Sequence, residues 1–98
     1  MTKAYWVARV DVDDLEQYKR YVAANAQAFV QHGAKFLVRG GKFEAPEGMS
    51  RSRNVVIEFP SYQAAMDCYN SPVYQAAMKL RLPVSTCELV IIEGYDGP

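Results

Sequence analysis

The stretch Arg53-Asn54-Val55-Val56-Ile57-Glu58-Phe59-Pro60-Ser61 decides the fold. Val55, Ile57 and Phe59 alternate with Asn54, Val56 and Glu58, the period-two pattern of a strand with one buried face. Pro60 has no N–H to donate and stops the strand. Ser61 is a good N-cap for a helix that carries Tyr62, Ala65, Met66 and Tyr69 on one side. Upstream, residues 42–52, with Pro46 and Gly48, read as a loop, long for so small a domain. Residues 34–40 read as a strand that ends at Gly40-Gly41. Before it, Asp13 offers a helix cap with Glu16 three residues on. Leu15, Tyr18, Val22, Ala26, Phe29 and Val30 then mark one helical face, and Gly33 ends it. Residues 4–12 alternate, with Trp6, Ala8, Val10 and Val12 opposite Tyr5, Val7, Arg9 and Asp11. Downstream, the helix after Ser61 breaks at Asn70-Ser71-Pro72, where Ser71 caps a further helical piece running to Leu82 and closed by Pro83. Residues 87–94 form the last strand.

The order β-α-β-β-α-β, with a broken second helix, predicts an α+β ferredoxin-like plait: a four-stranded antiparallel sheet with the helices on one face. That leaves the other face open, and a lone domain should make it polar. The strands do not comply. Phe36 and Val38 are expected opposite Lys35, Leu37 and Arg39; Val90 and Ile92 lie opposite Leu89 and Ile91; Tyr5, Val7 and Val56 lie among the polar positions. A half-apolar open face predicts a homodimer packed through the sheet faces, burying more than about 1,000 Å².

The chain has 98 residues, room for one domain, with 11 Lys and Arg balancing 11 Asp and Glu. A neutral chain lacks the basic footprint that nucleic acid or an anionic membrane requires. The longest aliphatic run, Leu89-Val90-Ile91-Ile92, is far too short to cross a bilayer. Arg9 and Asp11 interrupt any signal-peptide core, so a cytoplasmic location is expected. Cys68 and Cys87 read as small buried hydrophobes, and with one histidine they give no zinc pattern. Helix capping accounts better than metal binding for Asp11, Asp13 and Asp14. No phosphate loop or dinucleotide fingerprint is present, so neither metal nor cofactor is expected.

Two places carry candidate chemistry. Arg39, next to glycines that permit close approach, and Glu58 lie on strands expected to be neighbours and to share a face. Either they form an ion pair at a dimer seam, or Arg39 clamps a carboxylate or enolate with Glu58 as orienter or proton acceptor. Arg53 is expected toward the helices or solvent. The second place is the helix break, where a new N-terminus, Ser71, Tyr69 and Tyr74 either bind an anion or simply start a helix over core tyrosines. Arg81 reads as a helix C-terminal or dimer residue, and His32 as a helix C-terminal residue. Trp6, Phe36, Phe59 and Tyr62 read as core.

Phe36-Leu37-Val38-Arg39-Gly40-Gly41, Val56-Ile57-Glu58-Phe59-Pro60-Ser61 and Tyr69-Asn70-Ser71-Pro72-Val73-Tyr74-Gln75, with Arg81 and Glu93-Gly94, resemble the bacterial family known as domain of unknown function 1330. The resemblance covers essentially the whole chain, and the Asn70–Gln75 break is its most specific part. It implies the dimeric α/β-barrel superfamily, which includes cofactor-free monooxygenases, haem-degrading enzymes, muconolactone isomerases and stress-responsive barrels. It brings no established activity. Two readings follow: a cofactor-independent enzyme acting on a small aromatic, lactone or enolisable acid, or a non-catalytic ligand-binding or stress-associated barrel. In either reading Arg39, Glu58, Tyr69, Ser71 and Tyr74 are the residues expected to meet a small-molecule ligand. An RNA-binding plait has the same element order but needs aromatics and basic residues on its third strand, where this chain has Val55, Val56, Ile57 and Glu58.

Overall fold

A computed structural model describes residues 2–98. Strand β1 (Ala4–Val12) leads into helix α1 (Leu15–Gln31), then β2 (Lys35–Arg39) and β3 (Arg53–Phe59). Helices α2 (Tyr62–Asn70) and α3 (Pro72–Arg81) follow, then a 3₁₀ turn (Leu82–Val84) and β4 (Ser85–Glu93). The sheet order is β2-β3-β1-β4, antiparallel throughout, because β1 and β2 leave between them the gap that β3 fills. The molecule is a slab of 39 × 37 × 16 Å, one helix layer on one sheet layer. No helix among the described residues is long and apolar enough to cross a membrane.

Local chemistry sets most boundaries. Ser61 Oγ accepts from Ala64 N–H and starts α2. Ser71 Oγ accepts from Tyr74 N–H, and Pro72 takes the first position of α3, where a missing N–H costs nothing. Gly33 has φ 72°, the left-handed conformation that closes α1. The cap of α1 is Asp14, whose carboxylate accepts from Gln17 N–H, and not Asp13. The buried stripe of α1 also differs from expectation: it is Tyr18, Tyr21, Asn25, Ala28 and Phe29. At about 100° per residue, Val30 is turned roughly 120° from Tyr18 and points to solvent, as does Leu15. Helix α3 ends one residue earlier than its spacing suggests, and β4 begins two residues earlier, at Ser85.

The core is aromatic and centred on Trp6. Its indole lies 4.9–5.9 Å from the rings of Phe29, Phe59, Tyr69 and Tyr74, and its Nε1–H donates to Ala65 O at 3.1 Å. Tyr62, expected in this core, lies outside it and is 43 % exposed. Strand β2 carries the main departure. Phe36 pairs with Ile57 and Val38 with Val56, so a bulge falls between them. One extra residue inverts the alternation. Lys35 and Val38 therefore face the open side, and Phe36 and Arg39 face the helices. On the open side Val38, Val56, Val7 and Val90 form an unbroken row across all four strands.

Candidate active site

The helix-facing side of the sheet presents Arg39, Val55, Ala8 and Leu89 in one cross-strand row and Arg53, Val10 and Cys87 in the next. Helix α1 lowers Tyr18, Tyr21, Asn25 and Phe29 toward them, and α3 adds Tyr74 and Arg81. Tyr74, Ala77 and Arg81 share the buried stripe of α3 by their spacing of three and seven. Between the two layers lies a cavity of about 50 Å³. That volume holds roughly three to five waters or a small organic group.

Charge distinguishes this cavity from a packing defect. Three arginines line it, and no aspartate or glutamate does. The ion pairs among the described residues, Lys3–Glu58, Lys19–Glu16, Arg51–Asp11 and Arg51–Glu88, all lie elsewhere. Arg81 is only 7 % exposed, and its Nε has no hydrogen-bond partner. Its guanidinium carbon lies 5.3 Å from the centre of the Tyr21 ring. Burial works against the charged form of Arg81, but the oxygens of Tyr74 and Tyr21 beside it outweigh that and raise its pKa. The Nε of Arg53 is likewise buried and unpaired. Arg39 stacks its guanidinium 4.2 Å above the Phe36 ring. The hydroxyls of Tyr21 and Tyr74 are 2.9 Å apart. Burial, with the Tyr21 hydroxyl beside it, pushes the Tyr74 phenol well up, and burial also raises Tyr18, so both stay protonated. The site therefore offers guanidinium charge and phenolic donors. It holds no carboxylate or imidazole to act as a base.

Of the residues singled out from sequence, Arg39 and Tyr74 reach this cavity. Arg39 does so because of the bulge, and the expected meeting of Arg39 with Glu58 does not occur. Glu58 is on the opposite face, paired with Lys3 at 2.9 Å. Ser71 is engaged as a cap: it accepts from Tyr74 N–H and donates to Cys68 O at 2.7 Å. Tyr69 packs against Trp6 and donates to Met78 Sδ at 3.5 Å. The helix break is thus occupied by its own side chains, and Glu58, Tyr69 and Ser71 do not surround one cavity with Arg39. Sequence reasoning gave too little weight to Arg53, Arg81 and Asn25. The signal was present, since Asn25 interrupts an apolar stripe and Arg81 lies seven residues after Tyr74. His32 ends α1 as expected, with Nδ1 2.7 Å from Ala28 O.

A four-stranded antiparallel sheet in the order β2-β3-β1-β4, with its helices on one face and a cavity between the layers, is a ferredoxin-like plait. The chain belongs to the family described as domain of unknown function (DUF1330), whose model matches residues 3–95. Its fold is similar to that of RPA0582, a protein of unknown function from Rhodopseudomonas palustris: TM-score 0.78 and 18% identity, over 98% of this chain and 85% of that one. It is also similar to SnoaB, a cofactor-independent oxygenase from Streptomyces nogalater: TM-score 0.65 and 14% identity, over 99% and 97% of the two chains. A conserved protein of unknown function from Bacteroides thetaiotaomicron, described as a possible oxidoreductase, gives a TM-score of 0.58 at 11% identity, over 95% and 98%. No curated protein matches the sequence.

Proposed function

We propose that the cavity between the sheet and helices α1 and α3 binds a small organic acid. The observation that carries this reading is Arg81, a buried guanidinium with no carboxylate beside it and an unpaired Nε. A buried charge is costly unless it is paired. A carboxylate ligand supplies the pair, and guanidinium geometry suits it in two parallel hydrogen bonds. The aromatic walls favour an acid with a flat apolar body. The test is a thermal-shift and calorimetric screen of carboxylates, lactones and flavins against the wild type and Arg81→Met. Carboxylates should stabilise the wild type and leave the variant unmoved; equal shifts in both proteins would remove the assignment.

A second reading, turnover of an enolisable acid, is favoured by the hydrogen-bonded Tyr21–Tyr74 hydroxyl pair beside Arg81. Donors aimed at a developing oxyanion are the usual source of such rate enhancement. With no base among the lining side chains, the reacting proton would pass to solvent or to the reaction partner. Mass analysis of any stabilising acid after incubation, in wild type and Tyr74→Phe, separates turnover from binding.

The functional unit is proposed to be a homodimer joined through the open sheet faces. The protomer exposes 6417 Å², against about 5,600 Å² expected for a compact monomer of this mass. The excess is close to the roughly 800 Å² that each partner gives to a standard interface. The apolar row Val38–Val56–Val7–Val90 crosses the middle of that face. Light scattering at micromolar concentration should give twice the chain mass, and a monomeric mass would refute the dimer.

A further inference from the structure

We infer that the acid this cavity takes is short: a monocarboxylate of two or three carbons, held to that length by the packed aromatic walls. This rests on the acid-binding reading above and adds the size of the ligand. The cavity measures about 50 Å³. An atom the size of a water needs about 10–15 Å³ of such space, so roughly three to five non-hydrogen atoms fit. Acetate has four and propionate five, whereas benzoate has nine.

The rings that wall the cavity hold one another in place. Trp6 lies edge-on to Phe29 at 5.3 Å and to Tyr74 at 4.9 Å, and Phe29 lies edge-on to Phe36 at 5.5 Å. The Tyr21 and Tyr74 hydroxyls, 2.9 Å apart, tie α1 to α3. Interiors packed in this way resist expansion, so widening the cavity for a longer chain breaks these contacts. The charges suit one small head. The Tyr18 hydroxyl lies within the electrostatic reach of both Arg53 and Arg81, whose Nε atoms are buried without partners. Their positive fields therefore overlap, and a single carboxylate serves both. Val10, Val55 and Leu89 also line the space, which suits a methyl or ethyl tail better than a second polar group.

Calorimetry on the full chain with acetate, propionate, butyrate, hexanoate and benzoate measures the limit. Ligands of four or five atoms bind no more tightly than about 3–40 μM, so the titrations extend to millimolar acid. Where nothing limits length, each buried methylene tightens binding about fourfold. Here the series should turn over, with hexanoate and benzoate binding at least about tenfold more weakly than propionate. Val22→Ala removes two carbons from the cavity wall, and alanine is the better helix former, so α1 persists. In that variant butyrate should become the tightest binder. Hexanoate or benzoate binding the wild type as tightly as propionate would overturn the length limit and leave the acid site standing. An unchanged order in Val22→Ala would show that cavity volume does not set the limit, and would also overturn it. Inorganic phosphate serves as a compact anion without an apolar carbon. Phosphate binding more tightly than propionate would overturn both readings, as would the absence of binding by any of the acids.

Discussion

Replacing Arg81 with methionine should stabilise the free protein while ending acid binding. Methionine follows the arginine side chain as far as Nε, the unpaired atom, and the site is already lined by Tyr21, Tyr74 and Leu89. An unsatisfied buried donor costs about 1–3 kcal/mol, more when charged. The stacking of Arg81 on Tyr21 returns about 0.5–2 kcal/mol. The difference favours methionine by about 1 kcal/mol, at the low end of the roughly 1–4 kcal/mol seen when buried ionic groups give way to apolar ones. In a domain this small, that raises the melting temperature by about 4–8 °C. Urea unfolding followed by the fluorescence of Trp6, the single tryptophan, measures it at fixed protein concentration. An acid at a hundred times its Kd should add about 2.7 kcal/mol to the wild type and nothing to the variant. Destabilisation of the folded variant by more than about 1 kcal/mol would refute the reasoning, because the internal contacts of Arg81 would then satisfy it without a ligand.

Gly40→Ala should cost about 1 kcal/mol or more, since alanine is strained at φ 71° and its Cβ meets the Arg53 guanidinium; the same urea assay reads it. Ser71→Ala removes the cap of α3 and should cost about 1 kcal/mol, also read in urea. Burial pushes the Cys68 thiol up to about 12, so at pH 8 a thiol reagent should modify it only at the rate of unfolding. Asp11 accepts from the backbone N–H of Ser52 and from Arg51, which lower its pKa. Its contribution is therefore complete above the unfolded value of about 3.9 and disappears as the pH falls through the lower folded value. Acid unfolding of wild type and Asp11→Asn should accordingly show a stability gap at pH 6 that closes below pH 4.

Much of the fold is legible in the sequence because its signals are local. Pro60-Ser61 and Ser71-Pro72 act within one helical turn, so the ends of β3 and the break between α2 and α3 read correctly. The alternation in β1 and β3 survives because each strand is paired without interruption along one side. The α1 cap slipped by one residue because Asp13 and Asp14 are chemically equal as caps, and only the final turn geometry chooses between them. The α1 stripe was misjudged because apolar residues occur all around that helix, and packing against α3 selects the arc that includes the polar Asn25.

The functional residues divide along the same line. The sequence by itself determined the element order, the two-layer architecture and the caps of α2 and α3. It could not determine that Arg39 turns inward, because a bulge depends on pairing between strands separated by a loop, and one extra residue inverts every face beyond it. Nor could it bring Arg39, Arg53 and Arg81 to one cavity without a carboxylate. That meeting joins positions far apart in the chain and is decided by which surfaces the core buries. Only the tertiary structure shows that three positive charges of a neutral chain converge where none of its negative charges follows.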